Sequence, residues 1–117
     1  VGMRRIADAN GHFKMVATDQ RPPILNLIKE KKGVSDASFE DVAAVKGLLV
    51  EATAAESTAM LLDPIWGVPI SLTKTRGDGG LLVTLEHHEF EEGPRNARKS
   101  RAIADWSVGK IKRMGAD

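Results

Sequence analysis

Three acidic residues, Asp19, Asp63 and Glu86, each close a short apolar run: Phe13–Ala17 leads to Thr18-Asp19, Thr58–Leu62 to Asp63, and Leu81–Leu85 to Glu86. A carboxylate at the end of a buried strand can orient a cation or transfer a proton, with its acidity tuned by burial. It can equally cap the next helix or close a turn, because Asp is a common choice in such loops. Asp19-Gln20-Arg21 is the richest of the three sites. Acid, amide and guanidinium directly after an inward run suit a small polar substrate, and Arg21 could grip a phosphate at two points.

Other clusters carry weaker chemistry. Glu86-His87-His88-Glu89, followed by Glu91-Glu92, invites a metal reading. Adjacent strand residues point to opposite faces, so His87 and His88 could share an ion only from an irregular loop. A solvated acidic loop is the simpler expectation, and no metal is assigned. Arg95, Arg98, Lys99 and Arg101 could hold a phosphate, but pairing with the neighbouring glutamates or covering a helix face is expected first. Arg76-Gly77-Asp78 is read only as a turn. Trp66 and Trp106 are expected to pack. A Schiff-base lysine needs a desolvated, apolar position. Lys14 opens the first strand at the far end from the acids, no other Lys lies within an expected strand, and a desolvated lysine is not expected in this chain.

These groups must be held by elements that can be placed on the chain. Met3–Ala9 reads as a helix stopped by Asn10-Gly11. The apolar run before Asp19 reads as a buried parallel strand, and Pro22-Pro23 ends it while opening a short helix over Ile24–Glu30. Ser35–Asp41 supplies cap residues and acids for a longer helix, in which Val42, Val45, Leu48 and Leu49 recur at helical spacing up to about Ser57. A second strand ends at Asp63, and Pro64 breaks it. Pro69–Thr75 leans towards a short helix, Gly77–Gly80 is a turn, and the third strand ends at Glu86. A polar loop over His87–Gly93 follows. The last helix is expected over about Lys99–Met114, with Ile103, Trp106, Ile111 and Met114 on one side. Strands alternating with helices imply parallel crossovers. An open doubly wound sheet and the start of a (β/α)8 barrel both fit. The Gly-rich dinucleotide fingerprint is absent after the first strand, which favours the barrel. A barrel needs about 250 residues and eight strands.

Composition sets the outer bounds. The chain has 117 residues, 42% hydrophobic and 28% charged, an ordinary globular mixture for one domain. The net charge of +1 and 4% aromatic content argue against a nucleic-acid binder. Without cysteine, disulfides, thiolate metal sites and cysteine nucleophiles are excluded. No apolar run approaches the roughly 20 residues of a membrane helix, and no secretory signal is visible, so a cytoplasmic location is expected. The chain opens on Val1-Gly2-Met3 and closes on Gly115-Ala116-Asp117 after a helical stretch. A piece of a longer protein is the expectation.

Four motifs together suggest a family. Met15-Val16-Ala17-Thr18-Asp19-Gln20-Arg21, Ala59-Met60-Leu61-Leu62-Asp63-Pro64-Ile65-Trp66-Gly67-Val68-Pro69, Gly80-Leu81-Leu82-Val83-Thr84-Leu85-Glu86 and Trp106–Asp117 occur in that order. The chain resembles the amino-terminal third of the tagatose 1,6-bisphosphate aldolases, a class I aldolase family. Sulfosugar-phosphate aldolases share the first motif. The resemblance implies an α/β fold in which residues 1–117 form the first three β/α units of a TIM (β/α)8 barrel, incomplete in this chain. It implies reversible cleavage of a ketose bisphosphate into two triose phosphates through a lysine Schiff base, with no metal and no cofactor. It places Asp19 and Gln20 in the active site, Asp19 handling a proton or orienting the lysine and Gln20 bonding substrate. Arg21, Asp63 and Glu86 are the further substrate-binding candidates. The family's Schiff-base lysine lies on the sixth strand, with another lysine on the fourth and a catalytic glutamate on the fifth. All three fall past these residues, and this chain alone is expected to be inactive. Pro22-Pro23 and His87-His88-Glu89-Phe90 depart from the family pattern and bear on which sugar is taken. The alternatives are a small α/β binding module, an aldolase for a related sugar phosphate, and a metal-dependent aldolase using His87 and His88. A sugar phosphate and a second copy of the chain are the expected partners; nucleic acid and membrane are not.

Overall fold

In the computed structural model, which describes residues 2–75 and 77–117, three short strands form a parallel sheet. Arg76 of the expected turn lies outside the described residues. Strand β1 (Met15–Ala17) pairs with β2 (Ala59–Leu62), which pairs with β3 (Gly80–Val83), in the order β1-β2-β3. Val16 faces Met60, and Leu61 faces Leu82. All three segments are apolar, but only β2 is largely buried: Met15 and Ala17 of β1 are exposed, a correction to the buried first strand expected, because β1 lies at the edge of the sheet. The expected α/β class with consecutive parallel strands is present. That order fits the opening of a barrel and equally one half of an open doubly wound sheet.

Helix α1 (Gly2–Arg5) is shorter than expected. The Asp8 carboxylate accepts the N–H groups of Asn10 and His12, which competes with further helical turns. Helix α2 (Pro22–Lys32) starts on the two prolines and ends at Gly33, whose φ of 65° is one that glycine adopts without a Cβ clash. Helix α3 (Phe39–Thr53) is capped by the Ser38 hydroxyl, which accepts the Asp41 N–H at 3.1 Å, and carries Glu40 and Asp41 in its first turn.

The buried face of α3 differs from the expected stripe. Val42, Ala43, Lys46, Gly47 and Val50 are buried, whereas Leu48 and Leu49 are exposed. Gly47 permits the close approach of α4 (Gly67–Ser71): a Cβ there would lie 3.2 Å from Ile70 Cγ1. The α4 helix begins two residues before the expected Pro69, and the N–H of its first residue, Gly67, donates to the Asp63 carboxylate.

The largest correction concerns the carboxyl-terminal region. Instead of one helix from Lys99, the chain forms an antiparallel hairpin of β4 (Glu91–Glu92) and β5 (Arg98–Lys99), then a short helix α5 (Val108–Arg113). Arg95 and Asn96, both at φ 59°, turn the hairpin with positive backbone angles, the geometry that matches strand twist. Ser107 then caps α5 by accepting the Lys110 N–H at 3.2 Å.

Beneath the sheet, Val50, Ala54, Met60, Leu62, Val68 and Val83 form the main core, with Trp106 packed against it. Trp66 packs on a second cluster of Ile24, Ile28 and Val42. Both tryptophans are therefore packing residues, as expected. On the outer edge of β3, the Asp117 N–H donates to the Leu81 carbonyl at 2.9 Å, and the Asp117 carboxylate accepts the Leu81 N–H at 3.1 Å. Among the described residues, no helix is long and apolar enough to cross a membrane.

Candidate functional site

Parallel packing aligns the carboxyl ends of β1, β2 and β3, so the segments Thr18–Arg21, Asp63–Trp66 and Thr84–His88 emerge side by side. Ladder bonds carry the alignment past the strands: Thr18 N–H donates to Leu61 O and Thr84 N–H to Leu62 O, each at 2.9 Å. Thr84 then fixes the first acid, its hydroxyl donating to Asp19 Oδ2 at 3.0 Å. The Thr84 carbonyl accepts the Trp106 indole N–H at 3.1 Å, so α5's leading segment braces this contact from behind.

Arg21 crosses to the third loop. One of its terminal nitrogens donates to the Glu86 carbonyl at 2.8 Å, while the residue is only 5% exposed. Its Nε is buried without a hydrogen-bond partner. A guanidinium with a spare buried donor is suited to an acceptor-rich group entering beside it.

Four of the five expected site residues meet in one cleft. Asp19, Gln20, Arg21 and Glu86 line a cavity of about 210 Å³ together with Thr84 and His88. Burial, followed by the nearby Arg21 guanidinium, holds the His88 imidazole below its ordinary pKa. The ring stacks on His87 with centroids 4.5 Å apart, and His87 and Phe90 also border the cleft. Among the described residues, no group of three or more histidine, aspartate or glutamate side chains is arranged to hold a metal ion.

Asp63 is the residue that does not join them. Its side chain is fully buried, and its oxygens accept the N–H groups of Ile65 at 3.0 Å, Trp66 at 2.8 Å and Gly67 at 3.1 Å. The acid thus closes the turn that leads into α4, the structural role the sequence left open beside a chemical one. Its remaining partner is Lys46, whose ammonium lies 2.6 Å away.

Lys46 corrects the expectation that no lysine here is desolvated. Projecting from the inner face of α3, it is fully buried, and donates to the carbonyls of Thr18 at 2.7 Å and Gln20 at 2.8 Å as well as to Asp63. All three of its hydrogens are engaged, so its nitrogen is not presented as a nucleophile. The one available signal was its place between Val42 and Val50, four residues from each, on one helical face.

Two of the four residues of the basic cluster pair with neighbouring glutamates, the first of the two roles expected. Lys99 lies 3.5 Å from Glu91 and Arg101 3.0 Å from Glu89, while the Arg98 guanidinium sits 5.3 Å above the Phe90 ring.

Acid, amide and guanidinium are thus gathered beyond the strand ends, the side on which parallel α/β sheets bind ligands. No family model matches the chain. Curated proteins do: the chain is 30% identical over 116 residues to a tagatose 1,6-diphosphate aldolase of Streptococcus agalactiae and to a tagatose 1,6-diphosphate aldolase 2 of Enterococcus faecalis. It is 26% identical over 115 residues to a tagatose 1,6-diphosphate aldolase 2 of Streptococcus mutans. Each match covers 98% of this chain and 34% of the relative, so the chain spans about a third of the length of the curated relatives it matches. The chain thus matches the amino-terminal portion of the tagatose 1,6-diphosphate aldolases, the family its motifs resemble.

Proposed function

We propose that residues 1–117 are the amino-terminal part of a (β/α)8-barrel class I aldolase acting on a ketose bisphosphate. The observation that carries this reading is the shared cleft of Asp19, Gln20, Arg21 and Glu86 at the carboxyl ends of β1 and β3, in a sheet of three consecutive parallel strands. The names of the relatives, whose matches take in 98% of this chain, support it. In such a reaction a lysine amine condenses with the ketose carbonyl, releasing water and leaving a protonated imine. A base then takes the hydroxyl proton beyond the scissile carbon–carbon bond, and the bonding electrons move into the imine. The lysine belongs to strands outside this chain. Asp19, held by the Thr84 hydroxyl, is placed to handle a proton or to orient the amine. Gln20 offers an amide to substrate hydroxyls, and Arg21 and Glu86 complete the polar wall. Asp63 acts from below the cleft rather than by touching sugar. His88 and Phe90 border the same cleft, so these departures from the family pattern bear on which sugar phosphate fits. We place the protein in the cytoplasm, as a homo-oligomer.

The test is a chimaera in which this chain replaces the matching third of the Streptococcus agalactiae aldolase. Cleavage of tagatose 1,6-bisphosphate or a related ketose phosphate is the expected result. A folded chimaera inert towards the whole class would contradict the proposal. The isolated chain, treated with borohydride and a ketose phosphate, is expected to trap nothing; an adduct on Lys46 or any other lysine would overturn the assignment of the nucleophile.

A further inference from the structure

We infer that Lys46 is a positioning residue of the cleft: from within the core it sets the backbone that aims Asp19 and Gln20. The inference rests on the reading of those two residues given above, and adds one that neither motif nor strand-end placement singles out.

The carbonyls Lys46 binds, those of Thr18 and Gln20, lie on either side of Asp19 in the chain. Those carbonyls belong to the Thr18–Asp19 and Gln20–Arg21 peptide planes, so the two-residue step between them, Asp19-Gln20, is clamped at both ends, which restrains its backbone and with it the directions of both side chains. Thr84 secures the other end of that side chain. Asp19 is thus held from its backbone by α3 and from its carboxylate by the loop after β3. The third bond from Lys46 runs to Asp63, which is itself fastened to the start of α4 by three N–H groups. A fully buried lysine therefore joins α3, the loop after β1 and the end of β2.

Stability alone does not account for this choice. A buried ion pair can often be exchanged for apolar side chains of similar volume without loss. An apolar residue at position 46 would, however, leave the carbonyls of Thr18 and Gln20 without the bonds Lys46 now gives them. They would be satisfied only by shifting the loop towards water. Arginine would keep the charge, but its planar fork cannot direct one nitrogen at two carbonyls and a carboxylate.

Two variants separate positioning from simple support. Lys46→Met combined with Asp63→Asn removes both charges and keeps an oxygen for the Ile65 and Trp66 N–H groups. Lys46→Arg keeps the charge and loses the geometry. Both are read in two ways: amide hydrogen exchange at Asp19, Gln20 and Arg21 in the 117-residue chain, and kcat and KM in the chimaera. Positioning predicts faster exchange confined to that loop in either folded variant. It also predicts kcat lowered by about 100-fold, the order of effect that misplacement by an ångström produces, with KM changed much less. A folded variant with unchanged loop exchange and unchanged kcat would overturn the inference, as would full kcat in Lys46→Arg. Absence of turnover in the unsubstituted chimaera would instead overturn the aldolase reading, while the exchange measurement would still decide whether Lys46 holds the loop.

Discussion

Charged pairs occur in two regions of this molecule under opposite conditions. Lys46 and Asp63 meet with no exposed side-chain surface, and every remaining donor or acceptor bond is filled by backbone. On the β4–β5 hairpin, Lys99 and Glu91 meet with side chains 69% and 49% exposed. The same two kinds of charge serve different ends. In water, the pair gains little over its separate hydration, is screened by salt, and loses side-chain entropy. In the core, each partner is needed by the other, because a charge left alone there has no solvent. The buried pair can therefore dictate geometry, whereas the hairpin pairs only decorate it.

Removing one member of each pair should expose the contrast. Lys46→Met alone leaves Asp63 charged and two carbonyls unbonded, and should cost about 3–5 kcal/mol in denaturant unfolding. A loss below about 1 kcal/mol would mean that water reaches the pair and that the core is less closed than described. Ser38→Ala removes the cap of α3, the helix that carries Lys46, and should cost about 1 kcal/mol by the same measurement. Next comes Arg95→Gly in the hairpin turn. Arg95 holds φ 59°, a region costly for a residue with a Cβ, so glycine should tighten the hairpin by about 0.5–1 kcal/mol, seen as slower exchange of its amides. Glu91→Gln should change stability by less than about 0.5 kcal/mol and lose even that in high salt.

His88 lies where the two regions adjoin and sharpens the comparison through pH. Its neutral form is favoured first by burial and second by Arg21. Its folded pKa is depressed, so the stability it contributes is present above the ordinary imidazole value and lost as pH falls through the folded one. Titration followed by NMR should place His88 below an ordinary histidine, and Arg21→Gln should raise it. An unshifted His88 in that variant would remove Arg21 from its surroundings.

Much of the scaffold could be read from the chain. Apolar runs ending on acids marked the three strands, and prolines and cap residues marked α2 and α3. The cleft-lining segment after β1 was also legible, because Asp19-Gln20-Arg21 is contiguous and needs only one strand end to place it. Lys46 was hidden for a physical reason. Helical patterning assigns lysine to solvent, and the partners that pull this one inward lie 26 and 28 residues away at Gln20 and Thr18. The outward turn of Leu48 and Leu49 has the same origin, since α3 rotates to bring Lys46 and Gly47 to the core. The hairpin was missed because its turn uses Arg95-Asn96 without the glycine that usually announces such geometry. Its strands are two residues each, too short for alternation to register.

The most direct test compares the chimaera carrying Asp19 with one carrying Asp19→Ala, measuring kcat for ketose bisphosphate cleavage at saturating substrate. A carboxylate that handles a proton or orients the amine predicts a fall of about 100-fold or more, with the fold and Lys46's hold on the loop preserved. Equal turnover in the two proteins would show that the cleft beyond β1 is not where the chemistry occurs.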